Sequence, residues 1–225
     1  MDPAIPPVLH FGSQAVRTTL GRSTDVDVCV ELVGQVDRLL EQAAAHLQAD
    51  GASLACRVGC NFCCHLRVMV LPHEAIALFR YLQSRMPEAI AERVREKLHE
   101  YTRPSAAASL ASSVPQSRRA CAFLVGGECA AYEARPSACA AYHSLSKERC
   151  EQSFHNPSLP AATDALQALQ VVAMALEDGV NAGLQMQGLS SVPVELHTAV
   201  AALLGNPALI ARWRAGRPLT RTGVI

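Results

Sequence analysis

Aromatic side chains are scarce in this 225-residue chain: five Phe, four Tyr and one Trp make 4% of it. Alanine and leucine must then supply most of the apolar surface, which favours helices over a β-sandwich. Neither sign of charge is in excess. Lys plus Arg is 20 and Asp plus Glu is 20, a balance that argues against a dedicated nucleic-acid binder, whose affinity rests on neutralising phosphates. Long hydrophobic runs are missing as well. The longest, 171–176 and 199–204, fall far short of the roughly 18 residues of a membrane span, so no membrane partner is expected. The opening MDPAIPPVLHFG has no basic stretch followed by an apolar core, and no signal peptide is expected. The chain also lacks a Gly-rich phosphate loop, a βαβ unit, an internal repeat, an HExxH motif and a Ser-His-Asp order. Gly126-Gly127 reads as a turn.

Half of the residues are hydrophobic, enough for a sizeable core in one domain. Residues 1–24 are expected to form a flexible segment, because Pro3, Pro6, Pro7 and Gly12 break regular structure. A helix over about 25–50 starts with Asp25 as N-cap. Its apolar face carries Val26, Val30, Val33, Val36, Leu40, Ala44 and Leu47, and Gly51 stops it. Residues 67–71 are briefly β-prone. Pro72 suits a helix start, with Glu74 in the first turn. Further helices are expected over 72–86, 87–102, 161–186 and 193–204, with a short piece at 207–215. Residues 102–119 read as a Ser- and Ala-rich linker or mobile loop. The expected fold is mainly α, with little or no sheet: a single helical metal-binding domain over 25–217 around a metal centre in loops, then a tail over 218–225.

The nine cysteines are the informative feature. Eight lie between Cys56 and Cys150. In a reducing cytoplasm, the expected location, such spacing reads as metal binding before disulfides. The first group is Cys56-x3-Cys60-x2-Cys63-Cys64, a compact loop in which several thiolates can converge on one centre. The second is Cys121, Cys129, Cys139 and Cys150. Within it, Cys129-x2-Tyr132-x2-Arg135-Pro136-x2-Cys139 starts a helix at Pro136 and puts Cys139 near its N-terminus, where the dipole favours a thiolate. Arg135 can offset thiolate charge or bond to sulfur, against the alternative of a solvated Arg. Tyr132 reads as core more readily than as functional. Cys29 lies in the first helix and reads as core.

These two motifs together make the chain resemble the YkgJ-type cysteine-cluster family, a zinc- or iron-chelating domain. The resemblance covers about residues 55–150. It implies cluster cysteines at Cys56, Cys60, Cys63, Cys64, Cys121, Cys129 and Cys139, with Cys150 following at a looser spacing. The family includes the domain of flagellin lysine methylases. The resemblance therefore carries an alternative function, a cluster-dependent group-transfer enzyme such as a protein methyltransferase. With 75 residues after Cys150, no large second catalytic domain is expected.

Zinc normally takes four tetrahedral ligands, often from separate C-x2-C pairs. Here one C-x2-C overlaps a C-x3-C and abuts Cys64. Adjacent side chains diverge, so Cys63 and Cys64 suit two metals or two corners of a polynuclear centre. An iron–sulfur cluster or iron is preferred on this ground, zinc is the alternative, and a redox or disulfide role ranks third. Cys56-x3-Cys60-x2-Cys63 also has radical-SAM spacing, but without the βα alternation that frames that loop. His65 and His143 are candidate ligands, each weighed against an ordinary hydrogen-bonded histidine. Glu128, Glu133 and Glu148 are candidate bases, weighed against solvated carboxylates. The function expected is metal binding for a structural, electron-transfer or metal-handling role, with a protein partner left open.

Overall fold

The computed structural model describes residues 5–22, 26–57, 59–101, 119–156, 159 and 166–220. Helix α1 spans Ile5–Thr19 and α2 spans Asp27–Ala49. α1 corrects the expectation of an unstructured start. Pro6 and Pro7 stand in its first turn, where the absent N–H groups have no helical acceptor to lose. Residues 1–4 and 23–25, including the expected N-cap Asp25, lie outside the described residues. In α2 the buried Cys29, Val30, Val33, Val36, Leu40 and Ala44 recur at threes and fours, as the sequence pattern predicts. Gly51, at φ 101°, follows its end.

Helix α3 spans Pro72–Ser84 and α4 spans Glu88–Tyr101. Pro72 occupies the first turn of α3, and Glu74 accepts a hydrogen bond from the Leu71 N–H at 2.8 Å, closing that turn. Nine residues of α3 are buried, so it runs through the core rather than along its edge. The linker expected over 102–119 falls, up to residue 118, outside the described residues. Then come α5 (Ser137–Ala140), α6 (Lys147–His155), α7 (Gln167–Met186), α8 (Leu196–Gly205) and α9 (Leu209–Arg214). The expected helical stretch 161–165 is not among the described residues.

Two antiparallel two-stranded ladders complete the described fold. β1 (Met69–Val70) pairs with β4 (Val194–Glu195), in register Met69 with Glu195 and Val70 with Val194. That pairing pins the segment before α3 to the start of α8, where Leu196 N–H also bonds Val68 O at 3.0 Å. β2 (Leu124–Val125) and β3 (Glu128–Cys129) form a hairpin closed by Gly126 and Gly127, at φ 64° and 88°. Two consecutive positive φ values are what a tight hairpin turn with strand-matching twist requires.

Helices α1 and α7 pack against each other through glycine. A Cβ at Gly179 would fall 2.2 Å from Leu9 O, and one at Gly12 would fall 2.7 Å from Leu176 O. One contiguous apolar cluster runs from Ala15 in α1 to Leu219. Leu219 is buried, which corrects the expected start of the tail at 218; residues 221–225 lie outside the described residues. No helix among the described residues is long and apolar enough to cross a membrane.

Candidate metal centre

The first cysteine group sits on a loop made of short turns. Gly59 takes φ 83°, Cys60 N–H bonds Arg57 O, and a single tight turn covers Phe62–His65. Such tight winding is what brings thiols at spacings of three and four within one small volume. The second group is laid over it. Cys121 N–H bonds Cys64 O at 2.7 Å, Ala55 N–H bonds Ser144 O at 2.8 Å, and Ser144 N–H bonds the Cys56 sulfur at 3.3 Å. Asn61 Nδ2 donates to Gly127 O in the hairpin turn, and Lys97 Nζ from α4 donates to Leu124 O. The two loops are thus sewn together by backbone, far apart though they are in sequence.

The helical frame grips the second loop at two points beside Cys139. Arg135 bonds Asp37 at 2.8 Å and Glu41 at 3.2 Å, both on α2, and its guanidinium lies 4.0 Å over the Tyr132 ring. Ser137 donates from both N–H and Oγ to Glu74 Oε1, at 2.8 and 2.9 Å. Burial raises the Glu74 carboxyl pKa against these hydrogen bonds, which lower it. Glu74 therefore ties the start of α3 to the start of α5, two residues before Cys139.

All nine cysteines are free thiols. Eight are neighbours in two sets that meet at Cys63. Burial raises the Cys56 pKa, and the charges of Cys60, Cys63 and Cys150 raise it further. The Cys63 thiol is driven far up by a hydrogen bond with Cys64, by burial, and by the charges of Cys64 and Cys121. Burial also lifts Cys139 well above its ordinary value, with Cys121, Cys63 and Cys129 adding to it. Cys129 goes up to about 11 through burial; Cys121 and Cys63 raise it and Arg135 lowers it. Among the described residues, no three or more His, Cys, Asp or Glu side chains stand in the geometry to hold an ion. The thiols are gathered as neighbours without converging at bonding distance.

Cys29 stands apart. It is fully buried in α2, where desolvation pushes its thiol up to about 12. Of the two roles expected for Arg135, the resolved hydrogen bonds go to the two carboxylates rather than to sulfur, and its charge lowers the Cys129 pKa. Tyr132 is 55% exposed, a platform for Arg135 rather than a core residue. The helix after Pro136 has only four residues, too short for a full dipole, and burial outweighs it at Cys139. His65 faces Asn61 O at 3.1 Å and the Phe154 ring. At His143 burial and Arg135 lower the pKa, and none of the groups shifting it is a thiol. Glu128, Glu133 and Glu148 are exposed, as solvated carboxylates are.

One partner of the cluster carries no sequence signal. His197, on α8, places Nε2 3.2 Å from the Cys121 sulfur and Nδ1 2.9 Å from Glu195 Oε1. Burial lowers the His197 pKa, but hydrogen bonds with Cys121 and Glu195 raise it further, to about 9. Burial opposes the Glu195 charge, yet His197 and Thr198 hold its carboxyl down at about 2. Neither residue lies in a Cys-rich spacing, so nothing in the chain marks them.

Residues 55–157 match the CxxCxxCC family model, "Putative zinc- or iron-chelating domain". The CxxCxxCC match takes in both cysteine groups and ends before α7 and α8 begin. The donor set agrees with it: soft thiols select zinc, iron and iron–sulfur centres over magnesium or calcium. The match supports metal-ion binding by the CxxCxxCC segment and leaves the choice between zinc and iron open. No curated protein and no solved structure matches the chain.

Proposed function

We propose that Cys56, Cys60, Cys63, Cys64, Cys121, Cys129, Cys139 and Cys150 build one thiolate-ligated metal centre in a cytoplasmic protein. Its role is structural, electron-transferring or metal-handling. The carrying observation is the joining of two distant loops by Cys121 N–H on Cys64 O, with Cys63 adjacent in charge to thiols of both. Iron–sulfur is preferred to zinc because vicinal Cys63 and Cys64 suit two corners of a polynuclear centre better than one tetrahedral ion. Bound there, such a centre supplies one-electron chemistry or a fixed crosslink between the loops. The chain's own part is to gather the thiols, bury them, and brace Cys139 through Glu74 and Arg135.

The test is anaerobic purification followed by iron, zinc and acid-labile sulfide analysis. Iron and sulfide in comparable amounts support the preferred reading. One or two zinc ions without sulfide move the assignment to zinc. Neither metal, in folded anaerobic protein, contradicts the proposal.

A further inference from the structure

We propose that His197 is a nitrogen ligand of this same centre, binding metal through Nε2 beside Cys121; the inference rests on the chelating reading above. His197 lies outside the segment matched by the CxxCxxCC family, and it reaches the thiols only because β4 pairs with β1 and so sets α8 against them.

Three observations carry it. The ring is oriented from both ends: Nδ1 stands 2.9 Å from Glu195 Oε1, and Nε2 stands 3.2 Å from the Cys121 sulfur. Glu195 Oε2 also accepts the Thr198 N–H at 2.8 Å. The carboxylate is therefore an acceptor, and it holds the proton on Nδ1. A carboxylate on one ring nitrogen and metal on the other is the usual arrangement of a metal-ligating histidine. The ring is also fixed in its plane. It stacks on Tyr101 at 4.2 Å with a 14° tilt, and Tyr101 Oη donates to Ala120 O, next to Cys121. His197 is 3% exposed, so its orientation is imposed by packing.

The spacing is that of two donors on one ion. Metal–sulfur and metal–nitrogen bonds of about 2.3 and 2.0 Å at a tetrahedral angle separate S and N by roughly 3.5 Å. The observed 3.2 Å needs only a few tenths of adjustment. With the proton held on Nδ1, Nε2 offers its lone pair to the ion, while Cys121 binds as thiolate and gives its proton to solvent. Glu195, His197 and Cys121 in line also have the form of an activated cysteine nucleophile. Here, however, Cys121 is a close electrostatic neighbour of Cys63, Cys129 and Cys139, which places it in the metal-site thiols.

The experiment is metal-edge X-ray absorption on anaerobically purified protein, at whichever of the iron or zinc edges is populated. An imidazole ligand adds an outer-shell scattering pattern that thiolates do not. The expected result is that pattern in the wild type and its loss in His197→Gln, which keeps a polar side chain but cannot replace the ring. Metal retention against a chelator should fall at least tenfold in the variant. An all-sulfur shell in metal-loaded wild type overturns the inference and leaves the chelating reading standing. Folded wild type without metal overturns both. The wild-type spectrum decides even where the variant fails to fold.

Discussion

The crossing of α1 and α7 and the pair of cysteine loops are held by opposite means. At the crossing, Gly12, Gly179 and Gly183 remove side chains so that backbone meets backbone. At the loops, few large apolar side chains are available. Beyond Phe123, which is buried in the core, order rests on hydrogen bonds: Cys121 to Cys64, Ser144 to Cys56, Ser137 to Glu74. The first region is specified by shape alone and is complete in the free chain. The second is braced by the frame and, on the proposed chelating reading, completed by ligation, so its ordering free energy should depend on metal. The two should therefore respond differently to the same perturbation.

The largest effect should come from filling the crossing. Gly179→Val puts carbon into a space already held by the Leu9 carbonyl, so the helices must separate. Overpacking of this kind costs about 3 kcal/mol or more. The melting temperature should fall by roughly 10 °C at this chain length, while the folded fraction keeps its full metal content. Loss of metal in proportion to stability would break the separation of the two regions.

Glu74→Ala is next. It leaves Leu71 N–H and Ser137 N–H without that acceptor and leaves Ser137 Oγ only Glu177 Oε1, at 3.3 Å, at a cost of about 2 kcal/mol. Because Ser137 directs Cys139, metal retention against a chelator should weaken too, measured beside the melt. An unchanged chelator titration would show that Cys139 needs no brace.

Stripping the metal should act on one region only. Hydrogen exchange should quicken in 55–65 and 121–150 and stay slow in α1 and α7. Equal protection with and without metal would contradict the comparison. The smallest effect concerns Glu177, whose carboxyl is raised by burial and then by Glu74. A raised acid binds its proton more tightly when folded, so its stabilising contribution falls as pH rises from the ordinary carboxyl value through the folded one. Glu177→Gln should flatten that part of a stability–pH curve and leave metal content alone.

Much of the helical frame was readable because its periodicity is local. Val30, Val33, Val36 and Leu40 announce α2, and Pro72 with Glu74 announces α3. α1 was not readable: its prolines count against a helix until their place in the first turn is known. The cysteines stood out through spacing, which survives in one dimension. His197 did not, since it meets Cys121 through a strand pairing between 69–70 and 194–195. Arg135 stands out in the sequence, but its partners on α2 are nearly a hundred positions away. Gly179 looks like an ordinary helix-weakening glycine until Leu9 lies against it.

The central claim is that the two cysteine groups form one centre. Metal content of Cys60→Ser, Cys139→Ser and Cys29→Ser, purified side by side without oxygen, tests it most directly. Serine replaces a soft thiolate with a harder, more basic oxygen. The account predicts strong loss of metal in both Cys60→Ser and Cys139→Ser. Cys29→Ser should keep full occupancy and lose only about 1–2 kcal/mol of stability, because a hydroxyl replaces a thiol in α2's buried face. Full occupancy in both cluster variants, or metal loss confined to Cys29→Ser, would contradict it.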